Sequence, residues 1–285
     1  MLANAQDPEY LERQYNIRAA IPEHPAIFAR YAERSRRTRN TERCELDVRY
    51  GNSSDETVDI FHAHGTSRAL LLFIHGGYWR ALDKSDFSFV ADALAPAGVT
   101  VAVVNYSLCP KVHVADIVRQ MRQATAWLWR NAGEFGAPAD SLYVSGHSAG
   151  AHLTAMMLAT DWAAVAPDVP SDFIKGALAV SGLYELEPLR STSMNADIRL
   201  TEKDIAECSP ARLQPWMKAP LYLSFGGLES DEFKRHTRLL ADWWSDLGCI
   251  HIPMPNVNHL VVIEELANPQ SALCKGALGM MGLTT

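Results

Sequence analysis

The stretch Gly146-His147-Ser148-Ala149-Gly150 decides the fold prediction. It follows the apolar segment SLYVSG (141–146) and leads into a helix-like segment at 149–160. A G-x-S-x-G pattern between a strand and a helix predicts a sharp turn that exposes the serine. Glycines on both sides let neighbouring backbone pass close by, while the serine takes strained dihedrals. The pentapeptide alone also fits an ordinary Gly/Ser turn that ends a strand, so the surrounding sequence has to decide.

Short apolar runs recur on both sides of this turn and alternate with helix-like segments. Such runs suit strands that are buried on both faces, and the alternation implies right-handed crossovers. The runs are ALLLFI (69–74), VTVAVVNY (99–106), SLYVSG (141–146), GALAVSG (176–182) and PLYLSFG (220–226), with further strand-like segments at 45–50, 57–61 and 250–254. The helix-like segments are 85–96, 114–134, 149–160 and 231–247. The sequence therefore predicts a three-layer α/β sandwich around a mostly parallel central sheet.

The chain is expected to form one domain over residues 1–285, because α/β folds of this length commonly do. Residues 1–44 are predicted as an N-terminal helical extension that Pro22 and Pro25 interrupt. The arginine-rich run from 30 to 43 is interpreted as the solvated face of this helix. Residues 184–217 break the strand–helix rhythm and are predicted as a small cap or lid insertion.

Composition excludes several classes of protein. A net charge of −7 leaves no broad basic surface, so we expect no nucleic-acid partner. The N-terminus carries charges where a signal peptide needs an apolar segment, and no window is long enough for a bilayer, so we expect a cytoplasmic protein without membrane contact. The five cysteines are scattered, and neither CxxC nor HExxH occurs, so we expect no metal and no cofactor. A homodimer is kept as an alternative to a monomer.

A second motif, His75-Gly76-Gly77-Tyr78-Trp79, directly follows the strand predicted at 69–74. Its glycines keep side chains away, so that consecutive amides can point at one oxygen. An ordinary turn requires glycine but does not require the complete HGGYW motif. Ser148 is therefore predicted as a nucleophile beside an oxyanion hole. The predicted donors are the amides of Gly76, Gly77, Tyr78 and Ala149, the last at a helix N-terminus whose dipole favours negative charge.

The candidate general base is His259. It follows the last predicted strand, 250–254, and precedes the apolar run LVVIEEL (260–266). The chain order serine, acid, histidine places the base in such a loop. His62 and His64 flank an early strand and are expected at the surface.

The candidate acid lies in the loop 226–233, which offers Glu229, Asp231 and Glu232. One carboxylate should orient the imidazole and stabilise its cation. Because acids at the start of a helix also act as caps, Asp231 and Glu232 have another explanation. We favour Glu229 and keep Asp231 as the alternative.

Together these residues resemble the kynurenine formamidase (arylformamidase) group of the esterase/lipase-like α/β hydrolases. The resemblance covers most of the chain and rests on YLERQYN (10–16), HGGYW (75–79), GHSAGAHL (146–153) and the acid loop ESDEF (229–233). In that family the acid loop typically begins with Asp, so Glu229 is a departure. The resemblance implies a triad of Ser148, Glu229 and His259. It also implies hydrolysis of an N-formyl aryl amine, such as N-formylkynurenine, through a formyl-serine intermediate.

The residues themselves support acyl transfer to water, because such a site acts on esters, thioesters and activated amides alike. One alternative is therefore a carboxylesterase for small aryl or acyl esters, and another is a catalytically silent binding protein. The expected partner is a small-molecule substrate. A planar aryl group would need an aromatic wall, although aromatic residues beside core strands more often pack inside the protein. The candidate pocket residues are Trp79, Tyr106, His147, Leu183 and Tyr184.

Overall fold

An eight-stranded sheet forms the middle layer of the computed structural model, which describes residues 7–283. The strands are Cys44–Arg49 (β1), Thr57–Phe61 (β2), Ala69–Ile74 (β3), Val99–Val104 (β4), Leu142–His147 (β5), Ile174–Val180 (β6), Leu221–Gly226 (β7) and Ile250–Met254 (β8). Their order across the sheet is β1-β2-β4-β3-β5-β6-β7-β8. The pairs β1–β2 and β2–β4 are antiparallel, and the other five pairs are parallel. The predicted sandwich with a mostly parallel sheet is confirmed.

The register of the central strands sets the position of the site. Every residue of β3, β4 and β5 is buried, as the apolar runs predicted. Ile74 pairs with Gly146, so β3 and β5 end side by side. The two loops that follow them therefore meet at one edge of the sheet.

Helices cover both faces of this sheet. They are Pro8–Tyr15 (α1), Ile17–Ala20 (α2), His24–Thr41 (α3), Ala91–Leu94 (α4), Val114–Asn131 (α5), Ala149–Leu158 (α6), Trp162–Val165 (α7), Asn195–Ile198 (α8), Glu202–Cys208 (α9), Asp231–Trp243 (α10), Val261–Glu264 (α11) and Ala272–Met280 (α12). The helix predicted at 85–96 is wrong in part, because the 3₁₀ helices Lys84–Asp86 and Ser88–Val90 precede the short α4. Among residues 7–283, no helix combines the length and the apolar character that crossing a membrane requires.

The N-terminal extension consists of α1, α2 and α3, and the part of it before residue 7 lies outside the described residues. Asn16 separates the first two helices: its own amide bonds back to Glu12, and its side chain accepts from the Ala19 amide. The sequence suggested that Pro25 interrupts a helix, and the structure shows that it does not. It is the second residue of α3, where a proline loses no intrahelical hydrogen bond.

The arginine-rich face of α3 is less solvated than predicted. Arg36 and Arg37 are exposed, although Arg37 also lies 3.5 Å from Asp92, and three other arginines bind the body of the protein. Arg30 pairs with Glu264 at 2.8 Å, Arg34 with Asp92 at 3.5 Å, and Arg39 donates to Ser88 Oγ at 2.8 Å. The helix therefore docks on the domain through part of its basic face.

One predicted surface histidine is buried. His62 is 7% exposed, and its Nε2 lies 2.9 Å from Glu45 Oε1 across the β1–β2 pair. The acidic partner on β1 explains the burial, since it satisfies a polar nitrogen that would otherwise need water. His64 has an exposed side chain, as expected.

The segment 184–217 lies between β6 and β7 and contains only short elements. They are the 3₁₀ helix Glu187–Ser191, α8, α9 and the 3₁₀ helix Pro210–Arg212. Met194, just before α8, is the residue of this segment that lines the pocket beside Ser148 and His259.

Candidate active site

The turn that carries Ser148 connects β5 to α6. Ser148 has φ 58° and ψ −118°, the strained conformation that the motif predicted. A Cβ on Gly146 would lie 2.3 Å from Gly150 O, and a Cβ on Gly150 would lie 2.0 Å from Ile74 O. Both positions therefore require glycine, because α6 has to pass this close to β3 and β5.

Three of the predicted residues form one hydrogen-bonded chain. Ser148 Oγ lies 3.0 Å from His259 Nε2, and His259 Nδ1 lies 2.8 Å from Glu229 Oε2. Ser148 and His259 are each 3% exposed and Glu229 is 6% exposed. A serine, an imidazole and a carboxylate in this order can transfer a proton from the hydroxyl and stabilise the resulting imidazolium.

The loop after β7 fixes the carboxylate. Glu229 Oε1 accepts hydrogen bonds from Ser181 Oγ and from the Gly226 amide, each with a length of 2.5 Å. The second carboxylate oxygen is therefore free to face His259. Asp231 is exposed at the first position of α10 and makes no hydrogen bond to His259. Glu232 is buried, but it binds Tyr15 instead. The structure thus brings Glu229, and not Asp231, to the imidazole.

His147 supports the histidine loop from within. Its Nε2 lies 2.8 Å from the carbonyl oxygen of His259. Burial and then the nearby His259 hold the pKa of His147 well below its usual value, so its ring stays neutral. A neutral ring with its proton on Nε2 can donate to this carbonyl, which holds the backbone of His259 in place.

The HGGYW loop passes directly beside Ser148. A Cβ on Gly76 would lie 2.9 Å from His147 O and 3.1 Å from Ser148 Cβ. Gly77 has φ +113°, and a Cβ there would lie 2.0 Å from Ala81 O. None of the predicted donor amides has an acceptor among residues 7–283, which leaves them available for a substrate oxygen. They are the amides of Gly76, Gly77, Tyr78 and Ala149.

Tyr106 supports this loop rather than lining the pocket, which corrects its predicted place. Its ring stacks on His75 with centroids 4.3 Å apart, and its hydroxyl donates to His75 O over 2.9 Å. His75 Nε2 lies 3.1 Å from Asn105 Oδ1, and burial lowers the pKa of His75. A neutral His75 therefore packs under the loop, and the end of β4 holds it there.

The main pocket opens above Ser148 and His259 and has a cavity volume of about 80 Å³. Two parts of the chain form most of its wall. The N-terminal extension contributes Asn16, Ile17, Arg18, Phe28 and Tyr31. The loop after β3 contributes Gly76, Gly77, Tyr78, Arg80, Ala81 and Leu82. The remaining lining residues are Phe87, His147, Met194 and Leu260.

Of the five predicted pocket residues, only His147 is part of this wall. Trp79 is fully buried and packs edge-on against His152, with ring centroids 5.0 Å apart. Leu183 and Tyr184 are fully buried as well, and the Tyr184 amide donates to His236 Nδ1. These three side chains pack in the interior, as aromatic and aliphatic residues beside core strands commonly do.

Sequence reasoning missed the contribution of the N-terminal extension to the site. Tyr15 is buried, and its hydroxyl lies 2.8 Å from both Glu232 Oε2 and His236 Nε2 on α10. The Tyr78 hydroxyl donates to Tyr15 O over 2.6 Å. The YLERQYN segment carries a family resemblance but no local pattern that could predict contacts across more than 200 residues.

Within the described part of the chain, no group of three or more His, Cys, Asp or Glu side chains could hold a metal ion.

Sequence comparisons identify proteins that are similar to this chain. Residues 58–185 match the BD-FAE family. Kynurenine formamidase from Salmo salar is 32% identical over 265 residues, which cover 88% of this chain and 86% of that protein. Kynurenine formamidase from Drosophila melanogaster is 28% identical over 77% of this chain and 76% of its own length.

Solved structures show the same architecture. A crystal structure of a candidate thioesterase from Silicibacter sp. TM1040 superposes with a TM-score of 0.82 at 32% identity, covering 92% of this chain and 96% of that one. Esterase B from Lactobacillus rhamnosis superposes with a TM-score of 0.70 at 18% identity, covering 93% and 95% of the two chains, and this likeness concerns the fold alone.

Proposed function

Because this chain belongs to the kynurenine formamidase family of the α/β hydrolases, it is a hydrolase of small molecules, and we propose that it cleaves the formyl group from an N-formyl aryl amine. Ser148 is the proposed nucleophile, His259 the general base and Glu229 the acid that orients it. The observation that carries this proposal is the 3.0 Å contact between Ser148 Oγ and His259 Nε2 at the floor of the pocket.

In the first step, Ser148 Oγ attacks the formyl carbon while His259 Nε2 takes the hydroxyl proton. Negative charge develops on the formyl oxygen, and the amides of Gly76, Gly77, Tyr78 and Ala149 are the proposed donors that stabilise it. Glu229 stabilises the imidazolium through Nδ1, and its buried position strengthens that interaction. The C–N bond then breaks, and the His259 cation gives its proton to the departing aryl amine.

In the second step, water attacks the formyl-serine, with His259 again taking the proton. Negative charge again develops on the same oxygen, and the same amides stabilise it before the Ser148 Oγ–carbon bond breaks. The proton on His259 passes back to the serine oxygen. Formate leaves, and the free enzyme is restored without any cofactor.

The HGGYW loop lies close to Ser148, which supports a formyl over a larger acyl group. A Cβ on Gly76 would lie 3.1 Å from Ser148 Cβ. A formyl group leaves only hydrogen on the carbonyl carbon, so it fits against the HGGYW loop, whereas longer acyl chains need the wall to move. The curated relatives named kynurenine formamidase point to the same substrate class.

The carboxylesterase alternative uses the same residues and differs only in the pocket. Esterase LipQ from Mycobacterium tuberculosis is 27% identical over 58% of this chain, which supports keeping this alternative. If this alternative is right, the protein should cleave acetyl and butyryl esters faster than any formamide.

The deciding experiment compares 2-formamidoacetophenone with 2-acetamidoacetophenone, which share one leaving group, and adds N-formylkynurenine and the p-nitrophenyl acetate and butyrate esters. We expect kcat/KM to favour the formamide over the acetamide by at least about tenfold, because the extra methyl group has to enter the closed acyl side. Faster turnover of both esters than of the formamides would replace this proposal with the carboxylesterase. Absence of turnover on every compound would favour the silent binding protein.

The single-domain organisation with its cap, the cytoplasmic location and the homodimer stay predictions from the sequence.

A further inference from the structure

The wall of the pocket carries a cation that the proposed chemistry does not use. Arg18 on α2 lines the pocket, and its guanidinium carbon lies 5.9 Å from the centroid of the Phe28 ring, which lines it too. Contact with the ring face stabilises a cation without neutralising it. Because a guanidinium stays charged in proteins, Arg18 places a positive charge in the pocket wall.

The pocket offers Arg18 no carboxylate. Its lining includes two arginines and no aspartate or glutamate. Arg80, the second arginine, forms an ion pair with Asp197. Among residues 7–283, Arg18 has neither an ion pair nor a side-chain hydrogen bond. In a chain with a net charge of −7, this leaves one local positive site at the pocket rim.

The backbone that carries Arg18 is fixed although its side chain is exposed. Asn16 caps the helix start by accepting from the Ala19 amide at 3.1 Å, and it donates to Glu12 Oε1 at 2.7 Å. Immediately before it, Tyr15 is held in the interior by Glu232 and His236. A guanidinium on such an anchored turn can recognise an anion at a defined distance from the nucleophile.

We propose that Arg18 is a specificity-determining residue that binds a carboxylate on the aryl-amine side of the substrate, remote from the formyl group. The inference rests on the proposed function and names the subclass of N-formyl aryl amines that the site prefers. The aryl ring would occupy the apolar middle of the pocket beside Phe28 and Leu82, while the carboxylate reaches the rim. A planar guanidinium suits a carboxylate, since both oxygens can accept from it at once.

The test uses two substrates that differ in one carboxylate: 4-(2-formamidophenyl)-4-oxobutanoate and the neutral 2-formamidoacetophenone. The measured quantity is the ratio of their kcat/KM values, which cancels general effects on catalysis. In the wild-type enzyme we expect a ratio well above one. In Arg18→Gln the ratio should fall about tenfold, at the lower end of what losing a charged hydrogen-bonding partner costs, and in Arg18→Glu it should fall further.

Arg13→Gln is the matched control. It removes the same charge from the same extension, but Arg13 is 65% exposed on its side chain and does not line the pocket. We expect it to keep the wild-type ratio. Sodium chloride should also lower the ratio in the wild type more than in Arg18→Gln, because ions screen an exposed pair.

A wild-type ratio near one, or an unchanged ratio in both Arg18 variants, would overturn the inference. An equal fall in Arg13→Gln would also overturn it, since the effect would then belong to net charge. If the enzyme cleaves no formamide, the proposed function fails separately. The pair 4-acetoxybenzoate and phenyl acetate then decides the role of Arg18 by the same ratio.

Discussion

The Tyr78 hydroxyl donates to the main-chain oxygen of Tyr15 over 2.6 Å, which joins the HGGYW loop to the N-terminal extension. Tyr78 has φ 53°, a conformation that costs energy in a residue with a Cβ. Burial raises the pKa of Tyr78 well above its usual value, so the phenol stays a donor. The bond therefore holds a strained loop whose amides are the proposed oxyanion donors.

Tyr78→Phe should lower kcat by about tenfold while KM changes little, because loosened amides lose part of the transition-state stabilisation they supply. Tyr143→Phe is the control, since its hydroxyl has no partner among residues 7–283. Steady-state kinetics on both variants decides the matter. Equal kcat values for Tyr78→Phe and the wild type would show that the loop holds its shape without this bond.

Ser148→Ala should leave the fold intact and lower kcat by far more than a hundredfold, because the covalent route needs the hydroxyl. Loss of one oxygen at this turn opens no sizeable cavity. Circular dichroism and single-turnover kinetics measure the two effects. More than about a hundredth of wild-type kcat remaining would rule out Ser148 as the nucleophile.

Glu229→Gln should reduce kcat at least about a hundredfold, whereas Asp231→Asn should change it less than about threefold, because only the partner of His259 sets its tautomer and stabilises its cation. Both changes remove one charge with almost no change in volume, so each controls for the other. A larger loss in Asp231→Asn would transfer the acid role to that residue.

Stability should fall on acidification partly through His152. Burial lowers its pKa to about 4. As the pH falls through the ordinary value of about 6.5, the unfolded chain binds a proton there and the folded chain does not. Stability that is present above pH 6.5 is therefore lost progressively down to about pH 4.

We expect His152→Gln to lose about 2 kcal/mol less than the wild type between pH 7 and 4.5, since each unit of pKa shift corresponds to 1.36 kcal/mol. Urea unfolding at the two pH values measures the difference. Comparing losses rather than absolute stabilities removes any packing defect of the variant. An identical loss in both proteins would contradict a neutral buried His152.

The nucleophile turn and the strands could be predicted from the sequence because local sterics dictate them. Gly146 and Gly150 have to be glycine, and buried parallel strands need apolar runs. The pocket wall could not be predicted in this way. Its residues around Arg18 approach Ser148 through contacts between distant parts of the chain, such as Arg30 with Glu264.

Trp79 shows why motif position alone misleads about the pocket. It directly follows the proposed oxyanion donors, yet its φ of 55° accompanies a side chain that lies in the interior against His152. The acid shows the opposite case. Loop position favoured Glu229 over Asp231, and burial with Ser181 and Gly226 as partners places the same residue at His259.

The pocket wall and the proposed catalytic residues lie on different segments of the chain, and this has an evolutionary consequence. Five residues between 16 and 31 line the pocket, while Ser148, Glu229 and His259 lie on loops that follow strands of the sheet. Exchange of that one segment between relatives, with Tyr15 retained as its anchor, would change which molecules enter without rebuilding the chemistry. Diversification of substrate range in such enzymes can therefore proceed through a peripheral peptide, and chimeric chains offer a direct way to reproduce it in the laboratory.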